Sequence, residues 1–214
     1  PFVGANIFNF VFGAGAFGAF SLIPLYTVTV YNASTLKSGL LMTPRSLSMI
    51  VGASVTSFLL TRVGYRRPIL LGSSLLIISL CLLALEPTGF SLGALHIGPD
   101  ALLMGILALA GLGIGIAAPA ANNACIELMP EHVPTITGLR GTFRQMGAVI
   151  CITVVTLILN GASALNPAFA LCFLLVAALI FVALPSIFIM PASPCLTESA
   201  APEPPRQARI EDIS

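Results

Sequence analysis

A chain of 214 residues that is 57% hydrophobic, 8% charged and carries a net charge of +1 has too little polar surface to cover a water-soluble globule. A mean hydropathy of +1.03 places it in lipid, where only helices or closed barrels satisfy their own backbone hydrogen bonds. The alternating ten-residue strands of a barrel are not seen in the sequence, so the expected fold class is all-α and polytopic, with the lipid bilayer as partner and no nucleic-acid role.

A hydrocarbon core about 30 Å thick needs roughly 20 apolar residues per helix. Six runs qualify, at about 4–30, 38–60, 68–86, 100–121, 143–160 and 167–190, predicting a six-helix bundle over residues 1–190. The chain opens at Pro1 without an initiator Met or signal-peptide pattern, and reads as a fragment or trimmed chain.

Span one contains Gly13-Ala14-Gly15-Ala16-Phe17-Gly18, a literal G-x-G-x-x-G inside a membrane-length run with no acid at ribose spacing. Small-residue packing is the better reading, through the pairs Ala14 with Gly18 and Gly15 with Ala19. Asn6, Asn9, Gly13, Phe20 and Pro24 fall near one face. Such a face suits either a cavity wall offering amides and an aromatic surface or a set of interhelical hydrogen bonds. Tyr26 and Tyr31, at the outer end, are expected as interfacial anchors. The sequon Asn32-Ala33-Ser34 lies hard against the membrane and is taken as a chance match.

Span two carries an intramembrane charge. Arg45 follows Pro44 seven residues after Ser38, about 10 Å along a helix axis. With Ser48, Gly52 and Thr56 it forms a polar or small stripe at i, i+3, i+7 and i+11. A charge in the bilayer centre costs several kcal/mol and is kept for a partner or a cavity. Two readings stand level: a cavity-facing role, and an arginine that snorkels or bonds a neighbouring carbonyl.

The turn Thr61-Arg62-Val63-Gly64-Tyr65-Arg66-Arg67-Pro68 follows. Arg62, Arg66 and Arg67 there, Arg140 and Arg144 between spans four and five, and Arg206 and Arg209 after span six share one side, against Lys37 on the other. The positive-inside pattern puts the arginine turns and both chain ends in the cytoplasm. In span four, Gly111, Gly113 and Gly115 lead to Pro119 and then Asn122 and Asn123. A close-packing glycine face outweighs the alternative of a bendable helix lining a pathway.

The five cysteines show no metal or redox spacing and read as small buried hydrophobes. Glu127, Glu131 and His132 gather at the end of span four, and no span interior carries Asp, Glu or His. No catalytic set, metal site or cofactor is therefore expected. Residues 191–214, rich in proline and acids, are expected to be a disordered cytoplasmic tail.

Ile23-Pro24-Leu25-Tyr26, Ser38-Gly39-Leu40-Leu41-Met42-Thr43-Pro44-Arg45 and Arg62-x-Gly64-x-Arg66-Arg67 resemble the C-terminal half of a major facilitator superfamily transporter. The branch they resemble is the fourteen-span drug:proton antiporters of the EmrB/QacA type. Gly111-x-Gly113-x-Gly115 and the run from Gly138 to Gly147 look like that branch's later helices. The family's cytoplasmic loop reads G-x-x-x-D-R-x-G-R-R, whereas this chain has Ser57, Thr61 and Tyr65 at the first Gly, the Asp and one Arg. The acid-to-helix gating contact thus loses its acid. The resemblance implies two inverted three-helix repeats, alternating access and a small-molecule cargo. It further implies protons as coupling ion, a bacterial inner membrane, and a partner in the missing N-terminal half or a second chain. Spans one and four would face the cavity, adding weight to Asn6, Asn9, Asn122 and Asn123 as its wall. A non-transporting membrane scaffold that packs by its glycine faces is the alternative.

Overall fold

The first membrane crossing is assembled from three pieces in the computed structural model, which describes residues 2–85, 90–92, 95–127 and 133–189. Helix α1 (Phe2–Gly13) runs into a π-helical turn (Ala14–Ala19) and, after a break at Leu22, into α2 (Ile23–Val30). Pro24 sits in the first turn of α2, where a missing N–H costs nothing.

Ser34 then starts α3 (Thr35–Val63) by accepting the Lys37 backbone N–H at 3.3 Å, the usual device for an orphan helix-end donor. Pro44 lies inside this helix. It ends at Gly64, whose φ of 75° is open to glycine at little cost. Helix α4 (Arg66–Ala84) follows, then a hairpin of β1 (Phe90–Leu92) and β2 (Leu95–Ile97), with Phe90 opposite Ile97. The chain continues as α5 (Pro99–Glu127), α6 (Val133–Gly161), α7 (Leu165–Ala183) and a 3₁₀ segment (Leu184–Ile189).

Among the described residues, five helical stretches are long and apolar enough to cross a membrane: Asn6–Val30, Arg66–Ala84, Pro99–Ile126, Val133–Gly161 and Leu165–Phe188. Helix α3 has the same 29 residues as α5 and α6, but Lys37, Arg45, Arg62 and its many hydroxyls dilute its apolar character. The hairpin departs from the expected all-α chain, though only within the connection between α4 and α5.

Two sequence boundaries move. Helix α5 reaches Glu127 rather than 121, and α6 begins at Val133 rather than 143. Arg140 and Arg144, expected in a loop, are therefore intrahelical. Charged residues end a run of high hydropathy, but they are good helix formers and do not end a helix. Arg66 and Arg67, with Arg62 at the end of α3, remain the basic residues beside the turn at Gly64. Arg206 and Arg209, the predicted tail, and Glu131 and His132 lie outside the described residues, as do the side chains of Arg62 and Glu127.

Helix α3 lies along α5, α1 and the π turn lie along α6, and α4 packs between α5 and α7. Tyr26 is fully buried, with its ring edge-on to Phe169 and Phe173 and its hydroxyl 3.5 Å from the Leu83 carbonyl. It is a core residue rather than an interfacial anchor, because the π turn and the break before α2 aim it at α7. Ser79 donates to the Ile106 carbonyl at 2.9 Å, tying α4 to α5. At one end Lys37 and Asp100 form an ion pair at 2.6 Å. At the other, Arg66 donates to the Phe188 carbonyl at 2.8 Å, a cation at the last turn of the final helical segment.

Candidate functional site

The site grows from two helix crossings, each of which sets glycines against an arginine's own backbone. A Cβ on Gly111 or Gly115 would strike the carbonyls of Arg45 or Met49 on α3. A Cβ on Gly13 would strike the Arg144 carbonyl on α6, and one on Gly18 would strike the Cys151 side chain and press on the Ala148 carbonyl. In both cases the carbonyls belong to an arginine and the residue four further on. The glycines are four apart in α5 but five apart in the first crossing, because the π turn inserts one residue between them. The expected pair Ala14 and Gly18 is thus displaced to Gly13 and Gly18, and Gly15 faces Ile180 and Leu76 instead. Gly113 turns to α4, where Gly72 receives it.

The two arginine side chains leave these crossings for different surroundings. Arg45 donates from Nη2 to the Ala16 carbonyl at 3.1 Å, and its guanidinium lies 5.0 Å from the centre of the buried Phe20 ring. The carbonyl it takes belongs to the π turn. Arg144 donates from Nη2 to Asn122 Oδ1 at 2.9 Å, and its guanidinium lies 5.6 Å from the Phe17 ring, which is 40% exposed. Contacts of this kind are each worth about 0.5–2 kcal/mol, the upper end where water is excluded.

The stripe predicted beside Arg45 does not face open space. Gly52 packs on the Leu112 carbonyl and Gly115, and Thr56 is 5% exposed, so the stripe is the seam with α5. Asn6 and Asn9 are buried as well, and Asn9 donates from Nδ2 to Cys125 Sγ at 3.3 Å. Asn9 therefore bridges α1 and α5, the interhelical alternative left open by the sequence. Asn122 and Pro119 are half-buried and Asn123 is exposed. Of the residues in the arginine turn, Gly64 makes the turn, Arg66 caps the last described segment, and Arg67 is exposed.

Sequence reasoning passed over Arg140, Arg144, Phe17 and Cys125. Arg144 stands twelve residues into α6, much as Arg45 stands eleven into α3, a likeness that shows only once both helix starts are known. No group of three or more His, Cys, Asp or Glu able to hold a metal occurs among the described residues.

This architecture has relatives. The family model described as Major Facilitator Superfamily matches residues 4–152. The chain belongs to that superfamily. It is 26% identical over 160 residues to the multidrug transporter protein MdtP of Bacillus subtilis, a match spanning 74% of this chain and 28% of MdtP. Its fold is similar to that of the xylose transporter XylE from E. coli, with a TM-score of 0.72 at 19% identity, covering 90% of this chain and 50% of XylE. A bacterial homologue of the human peptide transporters PepT1 and PepT2 gives a TM-score of 0.74 at 15% identity, covering 88% of this chain and 40% of the homologue. The chain thus spans at most about half the length of these relatives.

Proposed function

We propose that this chain is the C-terminal half of an alternating-access transporter of the EmrB/QacA drug:proton antiporter branch, exporting a small molecule with protons as coupling ion. The observation that carries the reading is the pair of crossings. The first crossing meets α6 as α5 meets α3: a glycine lies on an arginine's carbonyl in each, and Gly147 and Gly52 meet the carbonyls of Phe10 and Leu112 in return. Two three-helix repeats of opposite orientation, residues 2–84 and 99–183, would make contacts of that kind. Helix α3 supplies the sixth crossing, its diluted apolar character matching a helix that lines a water-filled path or a partner.

The cargo wall consists of Arg45 with Phe20 behind it, and Asn122 and Asn123, joined by Arg144 and the exposed Phe17. Asn9 braces that wall from behind through Cys125, with Asn6 buried on the same helix. The N-terminal half of the full-length protein supplies the opposite wall, resting on the exposed faces of α3 and α6. The turn around Gly64 faces the cytoplasm of a bacterium, as do both ends of the bundle.

The test is proton-driven dye efflux from vesicles holding the full-length protein, wild type beside Arg45→Ala. The expected result is efflux that collapses with the proton gradient and falls severalfold in the variant. Unaltered efflux in a stably folded Arg45→Ala protein would remove Arg45 from the cargo wall. No efflux of any dye by the wild type would favour the scaffold.

A further inference from the structure

Arg140 and Arg144 stand four residues apart, hence on one face of α6. They lie about 10 and about 16 Å along the axis from Val133. Both guanidinium groups are within electrostatic reach of one another and of the Cys125 thiol. Arg144 is held by Asn122 through Nη2 alone. Its Nε, and the Nε and Nη1 of Arg140, are buried and have no acceptor among the described residues.

Two like charges side by side in a low-dielectric setting repel, and buried donors of a charged group left unpaired cost more than neutral ones. Both penalties are relieved by one kind of guest, an anion with two or more acceptor oxygens. A carboxylate fits the planar fork of a guanidinium in bidentate fashion. The exposed Phe17 ring beside Arg144 offers an apolar surface next to that charge. A cationic guest would meet two guanidinium groups of its own sign.

We infer that Arg140 and Arg144, steadied by Asn122, bind the acidic group of an anionic amphiphile whose apolar body lies on Phe17, making the cargo an organic acid rather than a cation. This assignment rests on the transport reading above for the word cargo, but the site itself is a matter of binding.

The test uses two fluorescent probes of one shape, dansylglycine with its carboxylate and dansylglycinamide without it. They are titrated against the full-length protein in phosphatidylcholine nanodiscs. Wild type is expected to bind dansylglycine about tenfold or more tightly than the amide. Arg140→Gln and Arg144→Gln should each bring dansylglycine to the level of the amide while leaving the amide unchanged. Equal wild-type affinity for the two probes, including no measurable binding of either, overturns the inference. So does a parallel loss of both probes in the glutamine variants.

The wild-type comparison stands even if a variant fails to fold, and Arg144→Lys, which keeps the charge without the fork, is expected to retain part of the preference. Nanodiscs containing phosphatidylglycerol form the second arm. Unchanged dansylglycine affinity there supports a cargo site, whereas its loss assigns the arginine pair to lipid headgroups and overturns the inference. Efflux of neutral and cationic dyes without any anion preference would sink the anion site and spare the transport reading. An intact anion preference with no efflux of any dye would do the reverse.

Discussion

The crossing of α3 with α5 and the crossing of α1 with α6 use one device, a glycine laid on an arginine's carbonyl, yet their arginines end in unlike company. Arg45 finds a backbone carbonyl and a ring that is 1% exposed; Arg144 finds a side-chain amide and a ring that is 40% exposed. A backbone carbonyl in a packed seam cannot turn away, so Arg45 is fixed to the π turn. The side-chain amide of the half-buried Asn122 can turn and exchange its partner for a guest. Each arginine keeps a buried Nε without a hydrogen-bond partner among the described residues, so the two differ in the group that holds Nη2: a fixed backbone carbonyl braces Arg45 at the cargo wall, and a movable side chain holds Arg144 there.

The largest expected effect comes from filling the shared device. Gly13→Val and Gly111→Val each force a side chain into a carbonyl and should cost about 3 kcal/mol or more, seen as loss of the monodisperse peak in size-exclusion chromatography. Tolerance of one and not the other would break the equivalence of the two crossings. Next is Arg144→Ala, expected to weaken binding of dansylglycine by about tenfold to a hundredfold with little change in melting temperature. Arg45→Ala should invert that pattern, lowering stability by about 1–3 kcal/mol through its lost carbonyl and ring contacts, read as an earlier thermal transition. Similar thermal and binding profiles for the two alanine variants would erase the distinction. The smallest effect belongs to Asp100→Asn. Lys37 and Asp100 are 48% and 45% exposed, and such a pair is worth about 0–1 kcal/mol, a shift barely visible by thermal melting in low salt.

Much of this was legible beforehand. Length and hydropathy marked the crossings, because lipid leaves a backbone no alternative to helix. Gly111 and Gly115 announced a close seam, and Arg45 announced itself by cost alone. What could not be read was where charge stops being a loop signal. Arg140 and Arg144 lowered local hydropathy and so appeared to precede a span, when they lie inside α6. Tyr26 was misplaced for another reason. The one-residue shift of the π turn has no mark in the run Ala-Gly-Ala-Phe-Gly-Ala, and it alters which face every later residue of that crossing presents. For Asn9 a cavity wall and an interhelical hydrogen bond stood level in the sequence, and the bond to Cys125 needed the position of α5.

The π turn has a genetic corollary. Because it holds one residue more than an α-helical path would need, deleting a single codon between positions 14 and 19 would leave a continuous helix rather than a break. Each residue in an α-helix advances the face by about 100°. Such a deletion would therefore swing α2 about its axis, carry Tyr26 off Phe169 and Phe173, and bring a different side of α2 to α7. The orientation of an entire outer half-helix is thus written in the length of a short run of small residues more than in their identity.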